Sequence, residues 1–123
     1  MNKRKIGESN EMLACEYITS HGGEVIERNF SCRQGEVDII ARDDRYLCFI
    51  EVKFRKDENY GLPEEAVSLA KQKKICKVSE FYLYSKYKSF DIPVRYDVLA
   101  ISVIDGILTF RWTKNAFDYI GKY

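Results

Sequence analysis

The 123-residue sequence predicts an α/β domain with the element order α-β-β-β-α-β-β. Three observations carry that prediction. Apolar runs of strand length are separated by turn residues at Gly22-Gly23, Arg42–Arg45 and Asp105-Gly106. Two longer stretches repeat apolar residues at helical spacing. The run Tyr46–Ile50 is apolar in both alternating sets, the pattern of a strand buried on both faces.

The first helix is expected from about Ile6 to His21, with Leu13, Ala14, Tyr17, Ile18 and His21 on one stripe and Gly22-Gly23 as its stop. Three strands follow, at Glu24–Cys32, Gly35–Ala41 and Tyr46–Phe54. Arg55–Pro63 reads as a polar loop holding Gly61 and Pro63. A second helix is expected from about Ser68 to Tyr84, with Ser68 as N-cap and Ile75, Val78, Ser79 and Tyr82 along its apolar stripe. Pro93 precedes a fourth strand, Val94–Val103. Asp105-Gly106 is a strong hairpin signal into Ile107–Thr113. The tail is expected to form a short helical turn around Ala116–Tyr119. There are no repeats, linkers or low-complexity stretches, so residues 1–123 read as a single domain.

At 46% hydrophobic and 32% charged the composition is that of an ordinary globular protein. The net charge of +1 provides no global field for nucleic acid, so any such attraction must be local. Met1-Asn2-Lys3-Arg4-Lys5 is followed by no apolar signal region, and no run is long enough to span a bilayer. Cys15, Cys32, Cys48 and Cys76 are widely spaced, with His21 the single histidine, which suggests neither a zinc site nor a disulfide scaffold. Cys48 and Cys15 read as small core residues, and a cytoplasmic location is expected.

The apolar run from Tyr46 ends abruptly in Glu51 and Lys53, and charges at the end of a buried strand are costly unless paired. Asp38 sits in the preceding strand. Two carboxylates and a lysine on adjacent strands are a minimal kit for holding a divalent cation and cleaving a phosphodiester. With Asp43-Asp44 as a two-residue loop, Arg42 would pair with Arg45 and Asp38 would face Phe49. Glu51 would then be the diagonal neighbour of Asp38, roughly 7–8 Å away, and Lys53 would share the face. A loop one residue longer would send Asp38 to the other face.

Glu11 has Ala14, Cys15 and Ile18 at helical spacing, so it either borders the core as a third acid or faces water on the helix flank. Glu8, one turn away, points toward solvent. Lys71, Lys73, Lys74 and Lys77 either decorate a solvated helix face or contact phosphates. Tyr82 and Tyr96 read as core, while Tyr60 in the polar loop is the better candidate for an unstacked base. Arg95 and Asp97 share a strand face and can pair with each other.

Several blocks recur in a fixed order: Gly7 with Asn10-Glu11-Met12-Leu13-Ala14, Arg28-Asn29-Phe30, and Gly35-Glu36-Val37-Asp38-Ile39-Ile40-Ala41. They continue with Phe49-Ile50-Glu51-Val52-Lys53-Phe54-Arg55, Lys71-Gln72 and Arg95-Tyr96-Asp97-Val98. In this order they resemble the YraN-like family, read as endonucleases of the restriction-endonuclease-like PD-(D/E)xK superfamily, and are similar to archaeal Holliday junction resolvases. Asn10 departs from the family's usual glycine, and Val37 stands where the superfamily's name has proline.

The resemblance implies a restriction-endonuclease-like fold, a mixed β-sheet flanked by helices. It implies an Mg²⁺- or Mn²⁺-dependent endonuclease acting on DNA, possibly branched or damaged DNA. Asp38 and Glu51 would be metal ligands, with the Val52 carbonyl joining them and Glu11 as a supplementary ligand. Lys53 would serve the attacking water, and Gln72 would stand beside the site. Arg55 and Lys56 would hold the flanking phosphate, with Lys71 and Lys74 as further nucleic-acid contacts. Branch-cutting relatives act as dimers, so a homodimer is a further expectation. Two alternatives remain: a non-catalytic nucleic-acid-binding module, and a protein-interaction domain whose acids bind a structural cation.

Overall fold

The computed structural model describes residues 3–55 and 67–121, with side chains from residue 10 onward. The elements are α1 (Lys3–Ser20), β1 (Glu24–Cys32), β2 (Gly35–Asp43), β3 (Tyr46–Arg55), α2 (Leu69–Tyr87), β4 (Val94–Ile104) and β5 (Ile107–Phe117). Their order is the predicted one. The five strands form one mixed sheet in sequence order, antiparallel except for the parallel β3–β4 pair. A parallel pair needs a crossover between its strands, and the segment between β3 and β4 contains α2.

Side-chain alternation sorts the core into two layers. Ile39, Ala41, Cys48, Ile50, Leu99 and Ile101 face α1 and pack with its Ala14 and Ile18. Ile40, Leu47, Phe49, Tyr96 and Val98 face α2 and pack with Ile75, Val78, Tyr82 and Leu83. β3 is buried on both faces because both layers draw on it. Emptying one of these positions, as in Ile50→Ala, is expected to cost about 2–5 kcal/mol.

The helix ends follow from local chemistry. Gly22 adopts φ 94°, and a Cβ on Gly23 would lie 2.5 Å from the buried Ile18 side chain. The Gly23 amide caps the Ile18 carbonyl at 2.9 Å, so this pair of glycines both stops α1 and lets β1 start close beside it. Ser68 is the N-cap of α2, its hydroxyl accepting from the Lys71 amide at 3.2 Å. Among the described residues no helix is long and apolar enough to cross a membrane.

Two sequence expectations need correction. The β2–β3 turn is Asp44-Arg45, with Asp43 paired to Tyr46, Arg42 to Leu47 and Ile39 to Ile50. Asp44 takes the left-handed position at φ 57°, which aspartate tolerates, while the Asp43 carboxylate is drawn to Arg95 and Lys114. Moving the turn by one residue moves each partner by two, so every side chain keeps its face. The helical turn around Ala116–Tyr119 does not form. β5 instead runs to Phe117, whose ring stacks on Tyr96 at 5.4 Å. Asn115, at φ 57°, makes a bulge that turns its amide onto the buried Asp97. Beyond Arg55, the expected polar loop lies outside the described residues.

Candidate active site

The β2–β3 ladder sets the site. The paired ladder ends at Ile39 opposite Ile50, which leaves Asp38 and Glu51 as the next residue on each strand. Glu51 lies on the α2-facing side with Phe49, and Asp38 comes close enough for its charge to be felt there. The ladder is then interrupted by a side chain: the Val52 amide donates to Asp38 Oδ2 at 2.8 Å. This bond anchors Asp38 beside Glu51.

Glu51 is only 5% exposed. Burial, reinforced by a hydrogen bond and negative charge from Asp38, pushes its carboxyl up to about 8, although Lys71 and Lys53 pull the other way. Burial and the neighbouring acid thus both favour the protonated form of Glu51. Lys71 Nζ lies 3.7 Å from Glu51 Oε2, a loose contact across the start of α2.

This arrangement suits a hard divalent cation. Its donors are oxygen only, with no thiol or imidazole, and two adjacent carboxylates repel each other unless a cation stands between them. Mg²⁺ commonly takes one or two carboxylates and keeps several waters. Among the described residues, however, no group of three carboxylate, histidine or cysteine side chains is placed to hold a metal.

The predicted site residues therefore divide. Asp38 and Lys53 both lie close enough to Glu51 for their charges to be felt there. Among the described residues Glu11 completes no group of three with Asp38 and Glu51, and its charge is felt at Cys15, one turn along the same helix. Gln72 donates its side-chain amide to the Val67 carbonyl at 3.0 Å, so it braces the entrance to α2. Lys71 contacts Glu51 itself, a closer role than the phosphate contact expected of it. Lys74 passes the β1–β2 turn, where a Cβ on Gly35 would lie 3.7 Å from the Lys74 Cβ. Arg55 ends β3 and is partly buried. Lys56 and Tyr60 lie outside the described residues, as does the Glu8 side chain.

A second polar cluster sits on the α1-facing side of β4. Asp97 is fully buried and accepts from Arg95 Nε at 2.9 Å, Arg95 Nη2 at 2.8 Å, Trp112 Nε1 at 2.9 Å and the Asn115 amide at 2.9 Å. Arg95 also reaches Asp43 at 2.8 Å, as does Lys114. Every lone pair has a donor, so this cluster locks β4, β5 and the β2–β3 turn together. The Arg95–Asp97 pairing was visible in the sequence, but the contributions of Asp43, Trp112, Lys114 and Asn115 were not. A cavity of about 780 Å³ between α2 and the end of β5, lined by Leu83, Phe90, Tyr96 and Phe117 among others, includes none of Asp38, Glu51 and Lys53.

Comparison with known proteins gives one family. The profile of the uncharacterised protein family UPF0102 matches residues 10–101. A UPF0102 protein of Lachnoclostridium phytofermentans is 38% identical over 122 residues, covering 99% of this chain and 100% of its own. One from Caldicellulosiruptor bescii is 42% identical over 120 residues, covering 95% and 100%. One from Symbiobacterium thermophilum is 41% identical over 115 residues, covering 93% and 97%.

Proposed function

The chain belongs to the UPF0102 family, the YraN-like family that its sequence blocks resemble, and we propose that it is a metal-dependent nuclease hydrolysing phosphodiester bonds in DNA. The observation that carries this reading is the Asp38–Glu51 pair, a buried carboxyl beside a half-buried one, with Lys53 and Lys71 close by. A carboxyl raised by burial beside a second acid is a place where a bound cation would be favourable.

In this reading Asp38 and Glu51, with the Val52 carbonyl, hold Mg²⁺ or Mn²⁺, and Glu51 gives up its proton on binding. The ion, when bound, polarises the phosphate and makes a nearby water a better nucleophile. Val52 keeps Asp38 oriented through its amide. Lys53, on the face of Glu51, positions the attacking water and offsets charge that builds on the phosphate. Lys71 supplies a second positive charge at the pair. Branched or damaged DNA is the proposed substrate class, and the four free thiols suit a reducing cytoplasm.

A second reading, a nucleic-acid-binding module without catalysis, is favoured by one observation: Glu11 adds no third carboxylate to the pair. Labelled linear, flapped and four-way DNA incubated with Mg²⁺ or Mn²⁺ separates the two. Metal-dependent cleavage by purified wild type that is lost in Glu51→Gln supports the nuclease. Binding with no cleavage under either ion supports the module.

A further inference from the structure

We propose that the flank of α2 carrying Lys74, Lys77 and Phe81 is a track for a single-stranded segment of nucleic acid, with an unpaired base stacked on Phe81. The proposal rests on the nuclease reading for its starting point, the carboxylate pair, and adds the class of substrate that leads away from it.

Helical spacing places the three residues together. Lys74, Lys77 and Phe81 are related as i, i+3 and i+7 and so share one flank of α2. Lys71, one turn before Lys74, already touches Glu51. From Lys71 to Phe81 the helix rises about 15 Å at ~1.5 Å per residue, a span of a few nucleotides. The positive charges thus form a graded line from the carboxylates along the helix surface, although the whole chain is nearly neutral.

The line ends in a shallow cavity of about 370 Å³ lined by Gln34, Lys77, Glu80 and Phe81. Phe81 is 42% exposed. Its ring is backed by Phe30 at 6.4 Å between centroids, which steadies it against β1. The Cys32 thiol donates to Gln34 Oε1 at 3.4 Å, so the carboxamide nitrogen of Gln34 is left to donate to a ligand. The acid in the cavity, Glu80, is engaged from its other side by the Tyr119 hydroxyl. A lysine and a donor amide around a steadied aromatic ring suit a stacked base with its phosphate. A duplex has no free base face to offer that ring.

Equilibrium binding of a labelled oligothymidylate and of a blunt hairpin duplex, in EDTA so that neither is cut, tests this. Phe81→Ala is expected to weaken strand binding about tenfold, within the range for one base–aromatic stack, and duplex binding less than twofold. Phe81→Trp should restore the strand affinity. Lys74→Ala and Lys77→Ala should each lower the salt slope for the strand by about 0.7. Melting temperatures confirm that the variants are folded. An unchanged strand affinity in Phe81→Ala, equal losses on strand and duplex, or no strand binding by wild type would overturn the track. Cleavage assays on the same proteins keep the two readings apart. Glu51-dependent cleavage without the Phe81 effect removes the track alone, and the Phe81 effect without any cleavage removes the nuclease alone.

Discussion

The carboxylate of Asp38 accepts the main-chain amide of Val52 at 2.8 Å, so the acid on β2 is held by the residue that follows the acid on β3. One hydrogen bond thereby ties the Asp38 side chain to β3, which gives Asp38 a structural role that can be tested apart from the proposed ligand role.

Asp38→Asn retains an oxygen that can accept the Val52 amide, so its stability should lie close to wild type. Asp38→Ala leaves that amide without its partner and should cost about 1–3 kcal/mol more. Both variants should bind Mn²⁺ more weakly. Urea denaturation beside titration calorimetry measures the two effects, and equal Mn²⁺ affinity in all three proteins would place the ion elsewhere.

The raised carboxyl of Glu51 makes a prediction about pH. Between the ordinary glutamate range near ~4.3 and about 8 the folded protein holds a proton that the unfolded chain has released. Stability of the metal-free protein should therefore fall as pH rises through this window, by a few kcal/mol in total. Glu51→Gln, which cannot ionise, should remove this slope and be the more stable protein at pH 8. Thermal unfolding in EDTA across the window reads this directly, and parallel curves for the two proteins would contradict it.

Because the proton must leave before a cation can use Glu51, Mn²⁺ binding at pH 7 should release close to one proton. Calorimetry in buffers of different ionisation enthalpy measures that number. A release near zero would mean that Glu51 is already ionised or takes no part.

Asp97 serves as a contrast. Its four donors come from Arg95, Trp112 and Asn115, and it is fully buried. Asp97→Asn turns an amide group toward those donors and should destabilise by about 3–5 kcal/mol. Mn²⁺ affinity at a temperature where the variant is still folded should be unchanged. A specific loss of Mn²⁺ binding with normal stability would move Asp97 into the site.

Much of this was legible in the sequence because it is local. Turn residues, strand alternation and the Ser68 cap specify the elements, and a two-residue turn suffices to put Asp38 and Glu51 on one face. What was not legible is tertiary. Nothing in Asp43-Asp44-Arg45 says which aspartate takes the left-handed position until Arg95 and Lys114 claim Asp43. The tail reads as a helical turn until the buried Asp97 recruits the Asn115 amide and Phe117 finds Tyr96. The contact of Lys71 with Glu51 depends on how α2 is rotated over β3. The separation of Glu11 from the pair depends on which face α1 covers.

Lys53→Ala tests most directly whether Asp38, Glu51 and Lys53 form a hydrolytic centre. Lysine is no ligand in this account, so the variant should bind Mn²⁺ with nearly wild-type affinity, while its cleavage of flapped or four-way DNA should be abolished. Nucleic-acid affinity should fall by about one phosphate contact. Cleavage by Lys53→Ala at the wild-type rate, measured beside an inactive Glu51→Gln control, would contradict the assignment of Lys53. Cleavage surviving in both variants would contradict the site as a whole.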